Sequence, residues 1–262
     1  MLLPGVIKDW LEQKKGYLRW RYHPSVINSW LFFRPAVKKQ LNRQRKLYFE
    51  ALRKVEADSK LVFDVGANEG YITGIFLDAG YNVVAVEPAE RNHSILHARF
   101  DKKSQIRILP VAIAQRRGTI DFFESSQHAL GTASSKWNKV NGAGKATGSD
   151  QPPKQVEALT LDDLVQKFGR PAFIKIDVEG YEVEVLKGLS TAIPLISFEA
   201  ILPLFLQESL ECITHLYQLN KNAQFNYAAN DCMQWPVFKD REELVKELER
   251  LSPQTVEIFC RS

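Results

Sequence analysis

A doubly wound α/β fold on a mostly parallel sheet is what this sequence predicts, and three features predict it. Leu61 to Val65 is an apolar run broken only by Asp64, and it leads through Gly66 and Gly70 into a helical pattern. Further apolar runs at 82–86, 172–176 and 195–198 alternate with helical stretches, the rhythm of βα units. Each of these three runs ends in an acid, Glu87, Asp177 or Glu199. Parallel strands bring such ends to one crevice at the carboxyl edge, where open α/β sheets bind their ligands.

The chain has 262 residues and 45% hydrophobic content, enough for one large α/β core and an appendage. Cys212, Cys232 and Cys260 are widely spaced and form no CxxC pair, which argues against a disulfide framework or a zinc cluster and fits a reducing compartment. The opening Met-Leu-Leu-Pro-Gly-Val-Ile is soon interrupted by Lys8 and Asp9, unlike a secretory leader. No apolar run approaches the roughly 20 residues of a membrane span. A soluble, cytoplasmic protein is expected, at most peripheral to a membrane.

Charge divides the chain in two. Residues 1–55 hold 13 Lys and Arg against three acids, whereas the remainder holds 22 bases against 28 acids. The first 55 residues also carry Trp10, Trp20 and Trp30, with Pro24 and Pro35 dividing them into short helices. They read as a basic, aromatic-rich helical extension, followed by one domain over 56–262. Its last helix, about 36–55, turns Leu41, Leu47, Phe49 and Leu52 inward. The extension either attracts an anionic partner, such as a membrane surface or lipid-linked glycan, or packs its aromatics on the core and leaves the bases solvated. Aromatic stripes at helical spacing favour packing.

In the domain, 61–65 is the first strand and 71–79 the helix behind it, ended by Gly80. Residues 82–86 are the second strand and 89–101 the next helix. Ile106 to Ala114 reads as the third strand and Thr119 to Phe123 as a short extra one. Residues of about 125–153 are rich in Gly, Ser, Ala, Asn and Lys, the composition of a mobile loop, with His128 and Trp137 as its bulky members; a loop of that length is a candidate lid. Thr160 caps a helix with Asp163 three residues on. The fourth strand, 172–176, leads into Asp177-Val-Glu-Gly180 and a helix over 181–186, and the fifth, 195–198, ends at Glu199. A helix (208–219), a strand (223–228), a helix (240–250) and a last strand (255–260) follow, the last fitting an antiparallel edge insertion.

Asp64 at the first strand's end is awkward for a pyrophosphate and favourable for a cation, and four acids along one edge repel one another unless a cation lies among them. S-adenosylmethionine (SAM), with its sulfonium and ammonium, suits such a crevice better than NAD. Glu87 stands 21 residues after Gly66, the usual interval to an acid that accepts ribose hydroxyls. Gly66 and Gly70 do not make GxGxxG, which weakens a nicotinamide oxidoreductase, and no Asn/Asp-Pro-Pro-Tyr/Phe motif follows the fourth strand, which speaks against a nucleic-acid substrate. His93 and His97, four apart without HExxH, read as surface or packing residues. No metal site is predicted, although a carboxylate cluster holding Mg²⁺ is an alternative.

Phe63-Asp-Val-Gly-Ala-Asn-Glu-Gly70, Glu87-Pro88, Val111-Ala112, Thr160-Leu-Asp-Asp-Leu164, Ile174-Lys-Ile-Asp-Val-Glu-Gly-Tyr-Glu182, Val185-Leu-Lys-Gly188 and Ile196-Ser-Phe-Glu199 stand in the order of the FkbM family of SAM-dependent methyltransferases, which residues 60–200 therefore resemble. The resemblance implies a seven-stranded class I methyltransferase fold and O-methylation of a sugar, glycan, glycolipid or natural-product hydroxyl. It also implies a SAM site made by Asp64, Val65, Gly66, Ala67, Asn68, Gly70, Tyr71 and Thr73 at the methionine part, Glu87 and Pro88 at the ribose, Val111 and Ala112 at the adenine, and Asp177 beside both the methionine end and the acceptor. Asp177, Glu179 and Glu199 are the candidate proton acceptors, with His128 a further one if the lid closes. A non-catalytic SAM-fold binding module is the alternative from another class.

Overall fold

The structure, a computed structural model, describes residues 21, 35–55, 57–124, 131–142 and 152–262. Trp10, Trp20, Trp30 and His128 lie outside the described residues. Helix α1 (Pro35–Leu52) precedes strand β1 (Leu61–Val65), α2 (Tyr71–Asp78), β2 (Asn82–Val86), α3 (Glu90–Phe100) and β3 (Ile106–Leu109). Strands β4 (Ala112–Ile113), β5 (Gly118–Glu124) and β6 (Gly131–Thr132) come next, then α4 (Ser135–Gly142), β7 (Lys154–Leu159) and α5 (Leu161–Phe168). The chain continues through β8 (Phe173–Ile176), α6 (Glu182–Leu186), β9 (Leu195–Leu202), α7 (Leu206–Leu219), β10 (Gln224–Ala229), β11 (Cys232–Met233), α8 (Arg241–Leu248) and β12 (Gln254–Arg261).

The main sheet has the order β11-β10-β12-β9-β8-β1-β2-β3. Strands β3, β2, β1, β8 and β9 pair in parallel, and β12 runs antiparallel to both β9 and β10. This is the doubly wound order of the class I methyltransferase fold, with the antiparallel strand expected near the edge. The two-residue β11 adds an eighth strand beyond the expected seven. The two faces bury separate cores. Ile174, Ile176, Ile196 and Phe198 pack under α5, α6 and α7 on one face, and Val62, Phe76, Phe173 and Phe259 meet α1 and α2 on the other.

Three expectations need correction. The run 106–114 is two strands, because Pro110 has no N–H for a ladder and the chain there leaves the main sheet. Its second half, β4, starts a small sheet of order β4-β7-β5-β6. Strand β9 runs to Leu202, so Glu199 lies inside a strand and not at its end. The supposed loop 125–153 contains β6 and α4, and these are tied down. Thr132 Oγ1 donates to the carbonyl of Glu179 at 2.8 Å, and Lys136 Nζ donates to the Leu204 carbonyl at 2.8 Å. The Trp137 ring lies 6.1 Å from that of Phe205. Composition concealed this order because the anchors are single polar atoms and one aromatic, not an apolar stripe.

Helix α1 docks through Leu47, Tyr48, Ala51 and Leu52, all buried, while Leu41 and Phe49 are half-buried. The Tyr48 ring meets Phe76 edge-on at 5.3 Å and Phe173 at 6.1 Å. At the far end, α5 keeps the predicted box: Thr160 Oγ1 accepts from Asp163 N at 3.0 Å, and the Asp163 carboxylate accepts from Thr160 N at 2.9 Å. The packing of α1 is testable. Leu47→Ala should lower unfolding stability by about 2–5 kcal/mol in urea titrations, the cost of emptying a core leucine site. An unchanged midpoint would mark α1 as a detachable appendage.

Candidate active site

The site begins at the turn after β1. The backbone N–H groups of Gly66 and Ala67 both donate to the Val86 carbonyl at 3.0 Å, so the chain folds across the end of β2. Gly66 has φ +81°, and a Cβ there would stand 1.8 Å from the Asp177 carbonyl oxygen. Only glycine fits, because the turn must pass directly against the end of β8. Asn68, also left-handed at φ 51°, turns its N–H onto Glu87 Oε2 at 2.8 Å. Ala89 N donates to Glu87 Oε1 at 2.9 Å.

A cleft opens here, walled by Val65, Gly66, Asn68, Glu87, Val111 and Asp177, among others. Pro88 and Ala112 also line it, as do Glu179 and Tyr181. The small sheet supplies the opposite wall with Ile113, Phe122, Gly131 and Ala133. A Cβ at Gly131 would stand 2.5 Å from the Phe122 ring and would displace it. These wall residues of the small sheet were not anticipated, because a second sheet assembled from short strands leaves little periodic trace.

Other predicted contacts lie behind the wall. Asp64 is fully buried, its Oδ2 accepting from Thr73 Oγ1 at 2.5 Å, and its Oδ1 is buried without a hydrogen-bond partner. Ala67 is packed in the core, and Tyr71 lies under the Arg99 guanidinium at 4.4 Å. Gly70 is confined by Leu96 and Phe100, with a Cβ coming within 2.5 Å of Leu96. Asp64, Ala67, Gly70, Tyr71 and Thr73 therefore shape the turn from behind, whereas Val65, Gly66, Asn68, Glu87, Pro88, Val111, Ala112 and Asp177 face the cleft.

Behind Asp177 lies a buried ammonium. Lys175 is the one polar residue in Phe-Ile-Lys-Ile, and its Nζ donates to Asp177 Oδ2 at 2.7 Å. Strand pairing sets Lys175 opposite Asp64 on β1 and Ser197 on β9. Glu257 on β12 lies opposite Glu199, and its carboxylate accepts from Ser197 Oγ at 2.5 Å and Tyr48 OH at 2.9 Å. Burial pushes the Lys175 pKa down, but the charges of Asp177 and Asp64 outweigh it and leave it raised. Lys175 and Glu257 both escaped the sequence reading. The lone lysine in an apolar strand was the available signal; Glu257 needed the direction of β12, which brings the early part of that strand beside Glu199.

Burial dominates the acids. It raises Glu87 to about 7 against the opposing N–H bonds of Ala89 and Asn68. It also raises Glu257 and Glu182 to about 7 each, and Glu179, with repulsion from Asp177, to about 8. Glu199 is likewise pushed well up by burial and then by Asp177 and Glu179. Asp177, Glu179 and Glu199 can place one oxygen each within 4.8 Å of one another, close enough to share a proton or a cation. Glu179 takes φ +56°, a conformation costly for a residue with a side chain and common at functional turns.

The chemistry of this cleft suits the cofactor expected from the sequence. Glu87 accepts from two backbone N–H groups and from the Asn92 side chain, which leaves acceptor capacity for a ribose hydroxyl. Excess carboxylate around one ammonium favours a ligand with positive charge. The Methyltransferase FkbM domain matches residues 64–228. The chain belongs to the FkbM methyltransferase family. It is thus a SAM-dependent methyltransferase. The hexuronic acid methyltransferase AglP of Haloferax volcanii is 29% identical over 201 residues, covering 73% of this chain and 78% of its own. Solved structures with a similar layout include the plantazolicin methyltransferase BpumL with SAH (S-adenosylhomocysteine) and a desmethylPZN analog, at TM-score 0.42, 10% identity and coverage of 98% of this chain and 99% of its own. An O-methyltransferase of Bacillus cereus with SAH gives 0.41 and 10%, covering 84% of this chain and 81% of its own. Strand order, not these distant likenesses, carries the fold. Among the described residues no helix is long and apolar enough to cross a membrane.

The raised acids have a measurable consequence. Glu87, Glu182, Glu257 and Glu179 bind protons more tightly folded than unfolded, so their contribution to stability is full below about pH 4.5 and is lost as pH rises through about 7 to 8. His93, lowered chiefly by burial, works in the opposite direction. The ligand-free protein should lose more than about 1 kcal/mol of unfolding stability between pH 5.5 and 8. A flat or rising profile in urea titrations at the two pH values would contradict the protonated cluster.

Proposed function

We propose that the FkbM-family chain transfers the methyl group of SAM to a hydroxyl of a sugar, glycan or related natural product, with Glu179 as the proton acceptor and Asp177 as the residue that orients the acceptor. The observation that carries this is the pair of carboxylates on the turn after β8, both lining the cleft that also holds Glu87. The name of the Haloferax volcanii relative supports a saccharide acceptor.

Bound SAM supplies an electrophilic methyl on a positive sulfonium. The protein's share is alignment, water exclusion and proton removal. Gly66 and Asn68 set the floor of the cleft, and Glu87 offers an oxygen for a ribose hydroxyl. Asp177 is held by Lys175 Nζ through Oδ2, which fixes its carboxylate and leaves Oδ1 for an acceptor hydroxyl. Glu179, raised to about 8, lies near the working pH, where a general base is most effective. Glu199 completes the trio but does not line the cleft, and the charges of Asp177 and Glu179 add to burial in pushing its own pKa up. The cover made by β6 and α4, bonded to the Glu179 carbonyl, holds this turn in its strained conformation. Exposed Lys38, Lys39, Lys46 and Lys54 near α1 give an anionic or membrane-borne acceptor a basic approach.

Incubation with methyl-labelled SAM and a panel of neutral and uronic glycosides tests the reading. Label should enter a saccharide oxygen; transfer to none of the panel, with SAH still bound, would overturn the acceptor class. SAH at about 100 times its Kd should stabilise the protein by about 2.7 kcal/mol, and NAD should not. Absence of that shift would overturn the cofactor.

Variants separate the roles. Glu179→Gln should lower kcat about 10²–10⁴-fold with little change in the KM for SAM. Glu87→Gln should raise that KM with a smaller effect on kcat. If both variants move the same parameter, the division of labour proposed here is wrong.

A further inference from the structure

We propose that His93 and His97 on α3 chelate a late divalent transition-metal ion, Zn²⁺ in the first instance, with Asp101 orienting the second imidazole. The three residues are spaced by four and so share one helical stripe. Their geometry goes beyond spacing. The two Nε2 atoms face each other at 3.2 Å, with the rings nearly perpendicular at 77°. Two imidazole nitrogens bound to a tetrahedral ion at about 2.0–2.1 Å stand about 3.3 Å apart, so the pair is already near chelating distance. The other ring nitrogen of His97 points to Asp101, Nδ1 to Oδ1 being 2.6 Å. A proton held on Nδ1 by that carboxylate leaves the His97 Nε2 lone pair aimed at His93 Nε2, whose proton a metal would displace on taking both imidazoles, the carboxylate–histidine arrangement that supports zinc ligands.

The side chains of His97 and Asp101 are 47% and 41% exposed, so an ion reaches the pair from solvent and water completes its shell. Without HExxH and away from the cleft, the chelate has no part in methyl transfer. Its effect falls on α3, the helix whose buried Asn92 bonds Glu87 on the cofactor side. A metal bridging two turns stiffens that helix. Imidazole nitrogens select Zn²⁺, Ni²⁺ and Cu²⁺, whereas the Asp177, Glu179 and Glu199 oxygens would favour Mg²⁺, so the two places are separable by ion.

Calorimetric titration of the untagged full chain with Zn²⁺ tests the proposal. The wild type should bind one ion whose affinity falls at least about tenfold in His93→Gln and in His97→Gln, and about tenfold in Asp101→Asn. Cu²⁺ added at one equivalent should show nitrogen coupling in its paramagnetic resonance spectrum, and the double glutamine variant should lose it. These positions are surface-exposed or half-buried, and circular dichroism confirms that each variant is folded before titration. Zn²⁺ affinity unchanged in the double variant, or nitrogen coupling that survives it, would overturn the proposal. Zn²⁺ binding abolished by Glu199→Gln instead would assign the ion to the carboxylate trio and overturn it equally.

Discussion

The ammonium of Lys175, buried among carboxylates, is the interaction on which the rest of the site depends. Asp64, Asp177 and Glu257 all act on it, and the fully buried Asp64 would be an uncompensated charge without it. Burying one lysine requires a sheet face that is closed by other elements, and here α1 and α2 close it. Tyr48 belongs to both tasks. Its ring fills the apolar layer with Phe76 and Phe173, and its hydroxyl reaches Glu257. A helix that looks, from its charge, like an appendage is therefore part of the support beneath the active-site carboxylates.

Sheet register explains why the charges are collected in so small a space. Pairing places Asp64, Lys175, Ser197 and Phe259 in one row across β1, β8, β9 and β12, and Glu199 opposite Glu257 further along the same face. Period-two alternation puts these residues on one side and Ile174, Ile176, Ile196 and Phe198 on the other. Each side has its own apolar core, and the side covered by α1 and α2 also holds the charged row near the cleft. Gly66 joins the two halves, since only a residue without Cβ lets the β1 turn pass the Asp177 carbonyl.

How much of this was legible follows from the range of the interactions. Strands 61–65 and 82–86 were readable to the residue because short Val-rich runs, Leu-Val-Phe-Asp-Val before Gly66 and Asn-Val-Val-Ala-Val after Gly80, admit little else, and the Thr160–Asp163 box was readable because a cap is local. Glu87, Asp177 and Glu179 were legible as cleft residues because they follow strands whose parallel direction the βα rhythm implies. Asp64 was placed at the cleft for the same reason, but its hydrogen bond to Thr73 turns it inward. Glu257 depended on an antiparallel pairing, and the small sheet on strands of two to seven residues whose partners lie far along the chain. Such pairings have no local pattern. Pro110, which divides the 106–114 run, was visible, and its lack of a ladder donor should have carried more weight than the hydrophobicity around it.

The cluster also bears on how a methyltransferase releases its product. On the proposed reading, the cleft binds a ligand with a positive sulfonium and is left with a neutral thioether after transfer. Carboxylates gathered around one ammonium favour the first charge state over the second, so attraction weakens when the reaction is complete. The proton taken from the acceptor goes to the same group of acids, where burial has raised Glu179 to about 8 and Glu199 well up. Its arrival cancels the negative charge that the departing methyl group would otherwise leave uncompensated. On that reading one set of half-buried acids would serve cofactor charge, acceptor proton and product release, with the Lys175 charge opposing the upward push on Glu179 and Glu199.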